Sequence, residues 1–84
     1  MRQNHIDMAR VPINVRLLKE ATAKELALVK AAFQAKIDKN AGTEMGMMQK
    51  PQIEHAMKML EKGKYNDECV QGLMTPELVE KVFV

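Results

Sequence analysis

The longest periodic segment of the chain is residues 14–39, which read NVRLLKEATAKELALVKAAFQAKIDK. Successive residues of a helix are about 100° apart, so positions with the spacing 3-4-4-3-4-4 of an eleven-residue repeat lie on one side of it. These positions are Val15, Leu18, Thr22, Leu26, Val29, Phe33 and Ile37. Asn14 is a typical helix N-cap, and Asn40-Ala41-Gly42 supplies a left-handed terminator. The segment therefore predicts one long helix over residues 14–39.

A second sector of this predicted helix carries small and apolar side chains. Its members are Leu17, Ala21, Leu28, Ala32 and Ala35. The distance between packed helices depends on the side chains at the contact, so small residues permit close approach. Two interpretations stay open: either the shorter helices of the same chain cover this sector, or another chain does.

The second half of the chain predicts three short helices. They are placed over residues 51–62, 66–74 and 75–83. Pro51 suits the first turn of the first of these helices, and Asn66 is an N-cap for the second. Thr75 caps the third, with Pro76 at its first helical position.

Two segments show no sustained period. Residues 1–13 are interpreted as a flexible N-terminal lead, and residues 43–50 as a flexible connector before Pro51. The connector contains three methionines, Met45, Met47 and Met48. The predicted fold is all-α, with one long helix and three short helices in a single domain over residues 14–84.

The core is predicted from the apolar stripes of these four helices. It contains Leu18, Leu26, Val29, Phe33, Ile53, Leu60, Val70, Leu73, Leu78 and Val82. A chain of 84 residues builds one small core and leaves a thin margin of stability, which suits a protein that packs against a partner.

Composition argues against several classes of function. The chain has no serine, no paired cysteine or histidine motif, no glycine-rich phosphate loop, and a net charge of only +2. We therefore expect no enzymatic activity and no cofactor or metal. The single cysteine, Cys69, rules out an intrachain disulfide and suits a reducing compartment. No apolar run approaches the roughly 18 residues of a membrane span, so we expect a cytoplasmic protein with no membrane partner.

The methionines and Cys69 each allow a second interpretation. The connector methionines, together with Met57, Met59 and His55, include ligand types that suit Cu(I). Methionine is more often a filler of irregular cores or an adaptable binding surface, and that interpretation is the one we adopt. Cys69 falls inside a short predicted helix, where a free cysteine usually behaves as a small buried apolar residue.

A basic face offers an alternative function. The first 39 residues hold eight basic and four acidic side chains, whereas residues 40–84 hold five and seven. Arg16, Lys19, Lys30 and Gln34 share a sector of the predicted long helix. Phosphate contacts from these residues would give non-specific, salt-sensitive binding of nucleic acid.

The main expectation is a non-enzymatic helical interaction module, a regulator or adaptor that binds a protein partner, a second copy of itself, or both. Its predicted contact surface combines the second sector of the long helix with the connector methionines. The residues are Leu17, Ala21, Leu28, Ala32, Ala35, Met45, Met47 and Met48.

Overall fold

The structure is a computed structural model that describes residues 8–84. A 3-10 turn, Met8–Arg10, is followed by five α-helices. These are α1 (Val11–Glu20), α2 (Ala23–Lys39), α3 (Glu44–Glu61), α4 (Glu68–Leu73) and α5 (Pro76–Phe83). No strand is present within residues 8–84, and the all-α class is confirmed.

The predicted long helix is divided in two at Ala21 and Thr22. Both residues have extended backbones, with ψ of 146° and 165°. The Thr22 hydroxyl accepts a hydrogen bond from the Glu25 backbone N–H at 3.1 Å, and a Glu25 carboxylate oxygen accepts one from the Thr22 N–H at 2.9 Å. This capping box satisfies two N–H groups that a helix start would otherwise leave unpaired. One helix over residues 14–39 was therefore a wrong prediction, because Thr22 begins a new helix instead of continuing the apolar stripe.

The first helix begins earlier than predicted. Val11 is its first residue, and Pro12 lies in the first turn. Backbone N–H groups in the first turn have no partner within the helix, so the N–H that proline lacks costs no helix hydrogen bond there. Residues 8–13 of the predicted lead are thus a 3-10 turn and the start of α1, whereas residues 1–7 lie outside the described part of the chain.

Asn14 is not an N-cap but a buried residue within α1. Its side-chain amide donates to Oε1 of Gln71 at 3.1 Å, and the Gln71 amide donates to the Tyr65 carbonyl at 2.7 Å. Buried polar groups are costly unless hydrogen-bonded. The pair therefore links α1 to α4 at a defined position.

The predicted connector is the first part of α3. The Thr43 hydroxyl caps this helix by accepting from the Gly46 N–H at 2.9 Å, and it donates to the Asn40 carbonyl at 2.7 Å. Gly46 is buried, and a Cβ at this position would overlap the Asn40 carbonyl group. Pro51 lies inside α3 instead of at its start. Gly46 permits close packing against Asn40, and residues 43–50 are helical from Glu44 onward.

The later helix boundaries follow local signals. Gly63, with φ of 78°, ends α3; its N–H donates to the Leu60 carbonyl at 3.2 Å, and the Lys64 N–H donates to Met59 at 2.9 Å. This is the Schellman arrangement that glycine permits. Thr75 caps α5 as predicted, accepting from the Leu78 N–H at 3.2 Å.

One core is shared by all five helices. Seven of the ten predicted core residues are buried, and Leu26, Leu73 and Val82 are partly buried and packed against them. The core also contains Ala56, Met74 and Val79. The central helix α2 packs against α3 and α5, and α3 packs against α4. Within residues 8–84, none of the helices combines the length and apolar character needed to cross a bilayer.

Candidate partner-binding surface

The predicted contact residues divide between the core and the surface. Leu17 and Ala32 pack against the core, and Ala21 is half-buried at the end of α1. Leu28 is 47% exposed, and Ala35, two turns further along α2, is also exposed. The small and apolar sector is therefore covered in part by this chain's own helices.

The three connector methionines are much more exposed than the α2 flank. Met45 is 64% exposed, and Met47 and Met48 are each 72% exposed. All three lie in the first two turns of α3, next to the buried Gly46. The cap by Thr43 and the close contact of Gly46 with Asn40 fix this helix start, so the methionines project from ordered backbone.

Helix geometry places the methionines on two different sides of α3. Met45, Met48 and Gln52 have the spacing i, i+3, i+7 and share one face. Met47 lies about 100° from Met48 and about 200° from Met45 around the helix axis. Met45 and Met48 therefore form a pair, and Met47 lies about 130° from the middle of that pair around the helix axis.

A groove of about 470 Å³ lies further along α3, where α3 meets α2 and α4. Gln52, which shares the face of Met45 and Met48, lines it together with residues of α2 and α4. The lining residues are Lys36, Gln49, Gln52, Ile53, Glu68, Cys69, Gly72 and Leu73. Ile53 and Leu73 form the apolar part of the groove lining. Lys36 and Glu68 add one positive and one negative side chain.

Cys69 in this groove is a thiol at neutral pH. Partial burial, together with the carboxylates of Asp67 and Glu68, raises the pKa of the Cys69 thiol above its ordinary value. Only a thiolate is a strong nucleophile. The sulfur is therefore poorly suited to nucleophilic catalysis, and its half-buried position fits the predicted role of a small apolar residue.

The structure brings together three side chains that the sequence did not connect. Asp67, and not Asn66 as predicted, is the N-cap of α4, and its Oδ1 accepts from the Cys69 N–H at 2.8 Å. Its other oxygen, Oδ2, lies 3.2 Å from Nε2 of His55 on α3. The sequence signal for the contact between Asp67 and Cys69 is the presence of an N-capping aspartate two residues before Cys69. No such local signal exists for His55, because its position depends on how α3 packs against α4.

The predicted basic face is spread over two helices. Arg16 and Lys19 are exposed on α1, whereas Lys30 and Gln34 lie on α2. Nζ of Lys30 is 2.7 Å from a Glu61 carboxylate oxygen, and this contact lowers the pKa of Glu61. The Gln34 amide donates to the Asp38 carboxylate at 3.1 Å. Two of the four residues thus have acidic partners within the molecule, and nucleic-acid binding through this face stays a prediction.

The chain matches no model of a known protein family, no curated protein and no solved structure. No relative therefore contributes a function.

Proposed function

We propose that this protein is a non-enzymatic, cytoplasmic helical interaction module, a small regulator or adaptor that binds a protein partner. The contact surface is the face of α3 formed by Met45 and Met48, continued by the groove between α3 and α4. The observation that carries the proposal is the exposure of these two methionines, 64% and 72%, on a helix start that is fixed by packing.

Methionine chemistry supports protein binding. The side chain is flexible and polarisable, so it adapts to partner surfaces of different shape, and it is common at such interfaces. Burial of an apolar side chain of this size contributes about 1.5–3 kcal/mol. Two methionines in one contact therefore supply several kcal/mol, which is enough to make them the main contributors to a modest interface.

The groove defines the kind of partner. Its lining mixes apolar Ile53 and Leu73 with polar and charged side chains. Such a lining suits an amphipathic helix, which presents a stripe of apolar side chains at i, i+3, i+4 and i+7 beside polar ones. Lys36 and Glu68 favour a partner with charged residues of both signs beside that stripe. A second copy of this chain could occupy the same groove, and sedimentation velocity of the chain alone distinguishes self-association from binding of another protein.

The methionines themselves provide a matched experiment. The double variant Met45→Glu/Met48→Glu changes the proposed contact face, whereas Met47→Glu changes a methionine that is as exposed as Met48 but lies outside that face. We expect the double variant to bind the partner captured by the wild-type chain at least ~100-fold more weakly, since two apolar contacts are lost. Binding by Met47→Glu should stay near the wild-type value.

Two measurements complete the test. Circular dichroism should show equal helicity for all three chains, because the substituted residues are exposed. Sedimentation velocity of the chain alone reports whether the occupant is a second copy, in which case the double variant is monomeric and the wild type is not. Equal partner binding by the double variant and the wild type would contradict the proposal.

A further inference from the structure

His55, Asp67 and Cys69 form a cluster of metal-ligating atoms at the junction of α3 and α4. The imidazole nitrogen, the carboxylate oxygen and the sulfur all lie within 4.8 Å of one another. His55 comes from the second half of α3, and the other two residues come from the start of α4. The sequence predicted no metal site here, because no spacing motif connects His55 with Cys69.

We propose that these three side chains bind Zn²⁺, with a fourth coordination position left for water or another ligand. Zinc accepts nitrogen, oxygen and sulfur ligands in tetrahedral geometry, at about 2.0–2.3 Å. Those bond lengths put neighbouring ligand atoms roughly 3.3–3.8 Å apart. The cluster therefore needs to contract by about 1.5 Å at most, and the side chain of His55 is 49% exposed, which leaves room for such a shift.

Asp67 is held in place for this role. Its Oδ1 accepts hydrogen bonds from the backbone N–H groups of Cys69 and Val70, at 2.8 and 3.4 Å. Oδ2 is left facing His55 at 3.2 Å. Hydrogen bonds that orient a ligand in this way are typical of metal sites. The neighbouring Glu68 carboxylate adds negative charge that favours a cation.

Zinc binding replaces the thiol proton of Cys69 with the metal ion. Zinc takes the sulfur of Cys69 as a thiolate, and the thiol proton passes to solvent. His55 binds through neutral Nε2, and Asp67 binds as a carboxylate. The site shares Cys69 with the groove of the proposed contact surface but does not involve Met45 or Met48. Metal binding is measured on the chain alone, so its failure is distinguishable from failure of partner binding through the methionines.

Cobalt(II) is the spectroscopic probe for this site. The chain contains one cysteine, so a thiolate-to-cobalt charge-transfer band in the near ultraviolet assigns Cys69 as a ligand without any substitution. We expect the band to saturate at one metal per chain, together with visible bands of tetrahedral intensity, and to disappear when Zn²⁺ displaces the cobalt. Absence of the band, or saturation at one metal per two chains, would overturn the proposal.

Matched variants then identify the other ligands. Cys69→Ala should abolish the band, and His55→Gln and Asp67→Asn should each weaken cobalt binding at least ~10-fold. Asparagine also serves as an N-cap, so Asp67→Asn removes the charge while α4 keeps its cap. His5→Gln, which removes the only other imidazole, is the control and should bind cobalt as the wild type does. Unchanged binding by His55→Gln, or loss of binding in His5→Gln, would contradict the assignment.

Discussion

The two halves of α3 belong to one helix but have opposite relationships to the core. Ile53, Ala56 and Leu60 are buried in the second half, whereas Gly46 is the buried position within residues 44–52. The packed half fixes the direction of the helix. The exposed half presents Met45 and Met48 without contributing their side chains to the core, so substitutions there separate binding from folding.

The largest difference between the halves is expected from paired truncations. Leu60 is 4% exposed and Met48 is 72% exposed. Leu60→Ala should lower the free energy of unfolding by about 2–5 kcal/mol, through lost burial and a cavity. Met48→Ala should change it by no more than about 0.5 kcal/mol. Urea denaturation followed by circular dichroism measures both, and equal losses would show that the first half of α3 is also core.

An intermediate effect is expected where the exposed half meets α2. Gly46→Ala adds a Cβ that overlaps the Asn40 carbonyl, so we expect a loss of about 1–3 kcal/mol from the strain of overpacking. Gly72→Ala is the matched control, since a Cβ on this helical glycine of α4 meets open space. Helix propensity alone should make that control about 0.5–1 kcal/mol more stable. Stabilisation by both substitutions would mean that α2 does not hold the start of α3.

The smallest effect is expected at the far end of α3, where Glu61 pairs with Lys30 on the surface. The pKa of Glu61 is lower in the folded chain than its ordinary value of 4.5. The pair therefore stabilises the fold fully above the ordinary value, and this stabilisation is lost as the pH falls through the lower pKa of the folded chain. The urea midpoint of Glu61→Gln should therefore lie slightly below wild type at pH 7, and the gap should close in acid. High salt should also reduce the gap. A gap that grows on acidification would have the wrong sign for this pair.

The sequence predicted the core well and the helix boundaries less well, for physical reasons that differ along the chain. Periodicity identified Leu18, Val29 and Phe33 as core residues, because an amphipathic helix buries its apolar stripe even when the predicted first and last residues of the helix are wrong. It missed the break at Thr22, because a residue on the apolar stripe can also cap a helix. The capping-box spacing of Thr22 and Glu25 was a readable signal for that break.

The start of α3 shows the reverse error. Gly46 and Pro51 predicted an irregular connector, but tertiary packing overrides their low helix propensity. Gly46 is required where α3 approaches Asn40, and no local pattern reports such an approach. The exposure of the methionines and the convergence of His55 with Cys69 likewise depend on how the helices pack, so neither followed from spacing along the chain.

The most direct test of the methionine face is a titration of the chain, labelled with ¹³C at its methionine methyl groups, with the captured partner. The signals of Met45 and Met48 should shift or broaden on binding, since these methyl groups enter the interface. The signal of the equally exposed Met47 should stay in place. Changes centred on Met47, or no change at any of the three methyl groups at saturation, would contradict the proposed contact surface.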